Sequence, residues 1–313
     1  MNYLVCILSA FALSLALTAA LLPLLRKLKA GQYILSYVKQ HASKSGTPTM
    51  GGLAFVAAII AASFIFCGFG DNKINLTMSI TAGFAVVGFL DDFLKIRRKE
   101  NEGLKPYQKI VFQLAIAVIA AVYCYVNDIT TVKIPFGGGL EYDIGWVIIP
   151  LVIFVFIATV NCVNLTDGLD GLAGGVSAAY LASLGAMLAV TGAGGGLVAF
   201  AGVGALAAFL IFNTGKASVF MGDTGSLALG GLISCLSVFS GNVLYIPALG
   251  IMFVLSGISV IIQVIYYKRT KRRVFLMAPV HHHFQMKGYS ESKISYVYFI
   301  ITLLVGIICI IFV

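Results

Sequence analysis

The chain has 313 residues, of which 60% are hydrophobic and only 11% are charged, and its mean hydropathy is +1.00. A soluble domain carries about 25% charged residues, so this composition excludes an ordinary soluble protein and indicates a polytopic helical membrane protein. The formal net charge of +9 is large for so few charged residues. The basic residues are nevertheless concentrated in loops between apolar segments, which argues against nucleic acid as a partner.

Ten apolar runs are each close to the ~20 residues that a helix needs to cross a bilayer. They predict an all-α fold of about ten transmembrane helices, in a single domain that covers residues 1–313. The predicted spans are 2–25, 50–69, 76–94, 109–127, 145–163, 174–191, 196–213, 227–241, 245–267 and 295–313. Between the fourth and fifth spans, the segment DITTVKIPFGGGLEYDI alternates modestly around a glycine-rich turn and predicts a small β-hairpin.

Alternating the loops across a bilayer gives a strongly asymmetric distribution of positive charge. Nineteen of the 21 Lys and Arg residues fall on one side, and only Lys73 and Lys133 fall on the other. Because short cytoplasmic loops carry the excess of basic residues, the first side is predicted to be cytoplasmic and both termini to be outside.

Acidic residues are rare, and five of the twelve fall in three short motifs that adjoin apolar runs on the cytoplasmic side. The motifs are GFLDDFLK with Asp91 and Asp92, NCVNLTDGLDG with Asp167 and Asp170, and VFMGDTGS with Asp223. An acid at membrane depth costs about 2.5–3.5 kcal/mol on insertion scales, so such residues are functional candidates. Their common side allows the three motifs to converge on one divalent cation.

Amide and carboxylate groups accumulate in the second motif. Asn161, Asn164 and Asp167 are spaced by three residues, which predicts that they line one face of a helix end. Oxygen ligands of this kind suit Mg²⁺, which usually keeps waters and binds substrate phosphates. The alternative interpretation is a polar turn formed by Asp and Gly. In the first motif, Lys95 lies one helical turn after Asp91 and is expected to pair with it or with a phosphate.

Three further cytoplasmic segments carry groups that suit anions. SKSGTPTMGG offers backbone and hydroxyl donors beside Lys44. HHHFQMKG contains His281, His282 and His283, whose spacing alone leaves a pyrophosphate-binding role and an exposed loop equally open. The polybasic run YYKRTKRR is expected to lie against anionic membrane lipid.

Five motifs in this order, GTPTMGG, GFLDDFLK, NLTDGLDGL, VFMGDTGSL and APVHHHFQMKG, closely resemble those of the phospho-N-acetylmuramoyl-pentapeptide transferases. The resemblance spans residues 44–288. It implies transfer of phospho-MurNAc-pentapeptide from UDP-MurNAc-pentapeptide to undecaprenyl phosphate, which gives lipid I and UMP in peptidoglycan biosynthesis. It also implies Mg²⁺ as cofactor, a multi-pass location in the bacterial cytoplasmic membrane and a homodimer.

The resemblance also implies roles for individual residues. Asp91, Asp92, Asp223 and His281 are expected to be catalytic, with Asp91 the candidate base. Asp223 is expected to bind Mg²⁺ together with Asn164. The residues expected to bind the substrates are Lys44, Thr49, Lys95, Lys109, Asn161, Asn164, Asp167, Gly168, Leu169, Asp170, Phe220, His282 and His283.

Within that set, Gly168, Leu169 and Asp170 are implied to line a uridine pocket, and Phe220 to stack on uracil. Two mechanisms stay open: Asp91 deprotonates the lipid phosphate, which then attacks directly, or an aspartate first forms a phospho-enzyme. Two other functions also stay open. A transferase of GlcNAc-1-phosphate to the same lipid shares the acidic motifs but is expected to lack HHHFQMKG. A transporter fits glycine-broken helices with acids, but its acids are expected near the membrane midplane.

Overall fold

The computed structural model describes residues 2–28, 46–98, 100 and 102–313. Over these ranges the chain is almost entirely helical. Its helices are α1 (Asn2–Lys27), α2 (Gly52–Cys67), α3 (Asn72–Arg98), α4 (Pro106–Val126), α5 (Ile148–Thr166), α6 (Leu172–Thr191), α7 (Gly196–Asn213), α8 (Gly222–Phe239), α9 (Ile246–Leu249), α10 (Ile251–Thr270), α11 (Val280–Met286) and α12 (Glu291–Ile311). Two short strands, β1 (Thr131–Lys133) and β2 (Glu141–Asp143), lie between α4 and α5.

In the described part of the chain, nine helices are long and apolar enough to cross a membrane, namely α1, α3, α4, α5, α6, α7, α8, α10 and α12. The helix α2 is equally apolar but has only 16 residues, fewer than the ~20 that a perpendicular span needs. The prediction of a helical, multi-pass membrane protein is therefore supported by length and composition, with nine full-length candidate spans and one shorter apolar helix.

The predicted hairpin is confirmed. Strands β1 and β2 pair antiparallel, with Thr131 opposite Asp143 and Lys133 opposite Glu141. The N–H of Lys133 also donates to the carbonyl of Gly241 at 2.9 Å, so the hairpin is attached to the end of α8.

Two predicted spans differ from the observed helices. The span predicted at 227–241 begins earlier, because α8 starts at Gly222 and includes Asp223 in its first turn. The span predicted at 245–267 is divided into α9 and α10 at Gly250. A Cβ at Gly250 would lie 2.9 Å from the carbonyl oxygen of Ile246, so only glycine fits this break without displacement.

Helix α8 is the central helix, with every residue from Thr224 to Phe239 buried. It packs against α3 and α5, and small residues allow the backbones to approach closely. A Cβ at Gly230 would lie 2.5 Å from the Cα of Val160 in α5, and one at Gly231 would lie 2.5 Å from the ring of Phe84 in α3. The N-terminal end of α8 therefore lies beside the C-terminal ends of α3 and α5, where the acidic motifs are found.

Candidate active site

Three carboxylates from two helices meet at this end of the bundle. Asp91 and Asp92 lie near the C-terminal end of α3, and Asp223 lies in the first turn of α8. One carboxylate oxygen from each residue lies within 4.8 Å of those of the other two. The predicted convergence of GFLDDFLK and VFMGDTGS is therefore observed in the structure.

Two glycines make this approach sterically possible. A Cβ at Gly88, one turn before Asp92 in α3, would overlap the backbone carbonyl group of Asp223. Gly222 has φ +70° and also lies against the Asp92 carboxylate. An L-residue at Gly222 would combine left-handed backbone strain with a steric clash. The close α3–α8 contact therefore depends on the absence of side chains at these positions.

Asp92 is bound to the backbone of α8 and is only 2% exposed. Its Oδ2 accepts hydrogen bonds from the N–H of Thr224 at 3.0 Å and from the Thr224 hydroxyl at 2.7 Å. Its Oδ1 accepts the N–H of Asp223 at 3.2 Å. The first N–H groups of a helix lack partners within the helix, and a carboxylate there is favoured by the helix dipole. Asp92 therefore caps α8 from a neighbouring helix, which explains why α8 begins before the predicted span.

Two lysines lie between the other two carboxylates. The Nζ of Lys95 is 2.6 Å from Asp91 Oδ2 and 3.4 Å from Asp223 Oδ2. The Nζ of Lys109 is 3.0 Å from Asp91 Oδ1 and 2.6 Å from Asp223 Oδ2. The predicted pairing of Lys95 with Asp91 one turn away is confirmed. The N–H of Leu104 donates to Asp91 Oδ1 at 2.7 Å, so the loop before α4 also holds this carboxylate.

The motif NCVNLTDGLDG reaches the carboxylates through Asn164. Its Nδ2 donates to Asp223 Oδ1 at 3.1 Å and to the Ser226 hydroxyl at 2.8 Å. Asn161, three residues earlier, instead donates to Gln113 Oε1 of α4 at 2.7 Å. The two asparagines therefore contact different neighbours, α8 and α4, because α5 packs between these helices. Gln113 is buried and was missed, although a lone amide in an apolar helix is itself a signal of polar contact.

The donor set fits a hard divalent cation. Carboxylate oxygens are the ligands that Mg²⁺ and similar ions prefer, and three carboxylates within reach of one point offer more than one such ligand. The nearby ammonium groups of Lys95 and Lys109 suit the phosphate groups that accompany such an ion in phosphoryl-transfer sites. In the observed arrangement Asn164 directs its amide nitrogen towards Asp223.

The loop after α5 is packed against the histidine motif. A Cβ at Gly168 would lie 2.5 Å from His281 Nε2 and 2.8 Å from His282 Nε2, so the two imidazoles lie directly against this glycine. Leu169 is 5% exposed and belongs to the hydrophobic core. Asp170 is also buried, and its Oδ2 accepts the N–H of Ala217 at 3.0 Å. Of these residues, Gly168 alone is not buried.

Asp167 ends α5 as its C-cap residue and is partly buried. Burial of the carboxyl group, followed by the negative charges of Asp223 and Asp92, raises the pKa of Asp167 to about 8. The protonated form of Asp167 is therefore favoured near neutral pH.

The three consecutive histidines have different surroundings, as expected for adjacent residues of a helix. His281 is fully buried, with its ring 6.3 Å from that of Tyr298. Among the described residues, neither ring nitrogen of His281 has a hydrogen-bond partner. Burial lowers the pKa of His281 to about 3, so this ring is neutral. His282 Nδ1 lies 2.9 Å from Gln285 Oε1, and His283 Nδ1 accepts the N–H of Leu276 at 3.1 Å.

The segment GTPTMGG is joined to VFMGDTGS by backbone hydrogen bonds. The N–H of Phe220 donates to the carbonyl of Pro48 at 2.8 Å, and Phe220 itself is partly exposed. Thr49 is buried, and a Cβ at Gly222 would lie 2.7 Å from its hydroxyl oxygen. Thr49 and Phe220 therefore lie beside the acidic cluster, whereas Lys44 lies outside the described residues.

Comparison with known proteins covers the same motifs. Residues 74–241 match the model of glycosyl transferase family 4, and residues 44–56 match signature 1 of the phospho-N-acetylmuramoyl-pentapeptide-transferases. The chain is 41% identical over 313 residues to the phospho-N-acetylmuramoyl-pentapeptide-transferase of Clostridioides difficile (strain 630). The aligned region covers 96% of this chain and 95% of the relative.

Two further bacterial proteins with the same name show similar agreement. Identity is 41% over 309 residues with that of Bacillus subtilis (strain 168), across 96% of this chain and 95% of the relative. The identity is 43% over 294 residues with the protein of Clostridium perfringens (strain 13 / Type A), across 93% of this chain and 92% of the relative. The resemblance seen in the motifs is thereby confirmed over nearly the whole length: the chain belongs to the phospho-N-acetylmuramoyl-pentapeptide transferase family, within glycosyl transferase family 4.

Proposed function

We propose that this protein transfers phospho-MurNAc-pentapeptide from UDP-MurNAc-pentapeptide to undecaprenyl phosphate and so produces lipid I and UMP. The observation that carries the proposal is the meeting of Asp91, Asp92 and Asp223 with Lys95 and Lys109 at one end of an apolar helix bundle. A reaction between a soluble pyrophosphate and a lipid phosphate must bring several negative charges together, and fixed cationic groups lower that barrier. The relatives' names, over nearly the full chain, support the same activity.

We propose Mg²⁺ as the cofactor, held by the carboxylate of Asp223 with Asp91 beside it, and by the amide oxygen of Asn164 after this amide turns from the orientation in which its nitrogen faces Asp223. The oxygen donors of this cluster support the assignment, since Mg²⁺ binds carboxylate oxygens and retains waters and substrate phosphates. When bound, Mg²⁺ neutralises the pyrophosphate and stabilises the phosphate that leaves.

Asp91 is proposed to accept the proton of the lipid phosphate. Its Oδ1 is held by the N–H of Leu104, and both its oxygens contact lysine ammonium groups. Lys95 and Lys109 are partly exposed, and in this proposal they bind phosphate oxygens of the substrates. The phospho-enzyme alternative requires a carboxylate with an available oxygen. Asp92 is the least suited of the three, because protein donors hold both of its oxygens.

The nucleotide is proposed to bind along the loop after α5 and beside Phe220. The partial exposure of Phe220 supports stacking on uracil. Because Leu169 and Asp170 are buried, their contribution is proposed to come from the backbone of the loop. Gly168 presents a surface without a side chain, with His282 directly behind it.

The proposal includes a location and an assembly. The nine apolar helices of spanning length among the described residues, together with the bacterial relatives, support a multi-pass protein of the bacterial cytoplasmic membrane. The excess of basic residues in the loops at the catalytic end supports a cytoplasmic active site with both termini outside. The homodimer implied by the family belongs to the same proposal.

The test is UMP release by the full chain in detergent, with UDP-MurNAc-pentapeptide, undecaprenyl phosphate and Mg²⁺. We expect turnover by the wild type and a loss of at least about 10²-fold in Asp223→Asn, since removal of one preorganised electrostatic group has effects of this size. Glu141→Gln, a matched change in the hairpin strand β2, is expected to retain activity.

Three results would contradict the proposal. Turnover of UDP-GlcNAc but not of UDP-MurNAc-pentapeptide assigns the chain to GlcNAc-1-phosphate transfer. Folded protein that turns over neither substrate, but moves a labelled solute into liposomes, assigns it to transport. Full activity of Asp223→Asn places the chemistry elsewhere.

A further inference from the structure

Glu291, in the first turn of α12, connects two segments of the proposed active site. Its Oε2 accepts the backbone N–H of Asp170 at 3.0 Å, and its Oε1 accepts the side-chain Nε2 of Gln285 at 3.2 Å. Ser295, one turn later in α12, donates to the backbone carbonyl of Asp170 at 2.9 Å. The start of α12 thereby holds both polar backbone groups of Asp170 and reaches the histidine helix α11 through Gln285.

The donor and acceptor roles along this chain of hydrogen bonds can be assigned from chemistry alone. A carboxylate only accepts hydrogen bonds, so the NH₂ group of Gln285 must face Glu291. The amide oxygen of Gln285 then faces His282 Nδ1 at 2.9 Å. Because an amide oxygen also only accepts, Nδ1 must carry a proton. In the neutral ring, the Nε2 of His282 therefore has no proton, and this nitrogen is directed towards Gly168.

We propose that Glu291 is a positioning residue that acts through Gln285 to fix the neutral tautomer of His282, with the proton on Nδ1 and an acceptor at Nε2. The inference deepens the proposed function, because it determines what His282 offers a substrate at the loop after α5. A neutral ring in this tautomer accepts a hydrogen bond from a hydroxyl or N–H group. It donates to a phosphate oxygen only after it takes up a second proton on Nε2.

The variant Glu291→Gln is expected to reverse the tautomer. The backbone N–H of Asp170 is a fixed donor, so the amide oxygen of the new side chain must face it. The new NH₂ group then faces Gln285, which must turn its oxygen towards this donor and its own NH₂ group towards His282. Nδ1 of His282 then has to accept a hydrogen bond, and the proton of the neutral ring moves to Nε2.

The decisive measurement is the ¹⁵N NMR spectrum of the imidazole nitrogens, recorded on the ¹⁵N-histidine-labelled full chain in detergent at a pH where the rings are neutral. The chain has four histidines, and comparison with His282→Gln assigns the resonances of this ring. We expect a protonated Nδ1 in the wild type and a protonated Nε2 in Glu291→Gln. Glu141→Gln is the matched control and is expected to retain the wild-type pattern.

A wild-type His282 with its proton on Nε2 would overturn the inference, as would an unchanged tautomer in folded Glu291→Gln. If Glu291→Gln does not fold, Gln285→Leu takes its place. It removes the acceptor at Nδ1, so the exclusive Nδ1–H form should be lost. Retention of that form in Gln285→Leu would overturn the inference equally.

A kinetic readout separates this inference from the proposed function. In Glu291→Gln we expect the KM for UDP-MurNAc-pentapeptide to rise by about tenfold, the effect of one mispaired hydrogen bond, while kcat changes little. The NMR result needs no substrate. If the wild type released no UMP, the proposed transferase activity would be refuted. The ¹⁵N spectrum would still determine the tautomer of His282, so the two proposals can fail independently.

Discussion

Asp92 provides the most direct test of how this site is built. The substitution Asp92→Asn preserves shape but replaces one carboxylate oxygen with an NH₂ group. If the new oxygen takes the position of Oδ2, it keeps both contacts to Thr224, and the NH₂ group faces the N–H of Asp223, where Oδ1 now accepts at 3.2 Å. In the variant, the NH₂ group of Asn and the N–H of Asp223 therefore face each other as two donors without an acceptor, at a position that is 2% exposed.

The expected loss of stability follows from these contacts. A hydrogen bond to a charged group contributes about 1.5–3 kcal/mol, and loss of the negative charge at a helix N-terminus removes roughly 0.3–1 kcal/mol more. We therefore expect Asp92→Asn to lower the free energy of unfolding by about 2–4 kcal/mol. Thr224→Val removes a single hydroxyl donor to this carboxylate and leaves the two backbone donors in place, so it should cost about 1.5 kcal/mol, the lower end of that range.

The assay combines thermal unfolding in detergent, followed by helical circular dichroism, with UMP release. Asp92→Asn should unfold several degrees below the wild type, and Thr224→Val should lie between the two. Activity should fall by roughly 10²-fold, because the turn that carries Asp223 is displaced by the mispaired amide. An Asp92→Asn protein that is inactive but unfolds at the wild-type temperature would refute the capping role and place Asp92 in direct contact with the reacting groups.

Three further predictions concern the surroundings of the cluster. Gly88→Ala should destabilise the protein by about 1–3 kcal/mol or more and reduce UMP release, because its Cβ would overlap the backbone of Asp223. The control Gly83→Ala lies on the same helix, where the atom nearest to the new Cβ would be 3.4 Å away; it should behave like the wild type, and equal behaviour of the two variants would contradict the close contact at Gly88. Lys109→Met should reduce turnover by about 10²-fold and also lower the unfolding temperature, since it removes one of the two cations that lie between the carboxylates of Asp91 and Asp223. Wild-type turnover would exclude Lys109 from the site. Burial lowers the pKa of His281 to about 3, so as the pH falls the imidazole takes up a proton in the unfolded chain before it does so in the folded one, and the free energy of unfolding decreases between about pH 6.5 and about pH 3 by up to about 1.4 kcal/mol per pH unit. Unfolding of the wild type and of His281→Phe at about pH 7 and about pH 5 measures this effect, and parallel losses of stability in both proteins would contradict it.

Four features could be predicted from the sequence alone: the membrane class, the approximate positions of the apolar helices, the hairpin before α5 and the motifs that carry the acids. Apolar runs and turn residues are local signals, because the bilayer length and the backbone geometry act on each segment separately. The pairing of Asp91 with Lys95 is local in the same sense, since both lie on one helix a single turn apart.

Contacts between helices could not be predicted from the sequence, because they depend on how the helices pack. The period of a helix indicates that Asn161 and Asn164 are near one another, but not that one contacts α4 and the other α8. Nothing local to Asp92 predicts that it caps a helix 131 residues away.

The contacts of Gln113 and Glu291 with site residues were missed for the same reason. Each lies far along the chain from its partner, Gln113 in α4 from Asn161 and Glu291 in α12 from Asp170. A hydrogen bond requires two groups at one point in space, and that meeting depends on how whole helices pack, which no single segment of sequence specifies. The sequence therefore supplied the chemical groups of this active site, and the packing of α3, α5, α8 and α12 determined which of them meet.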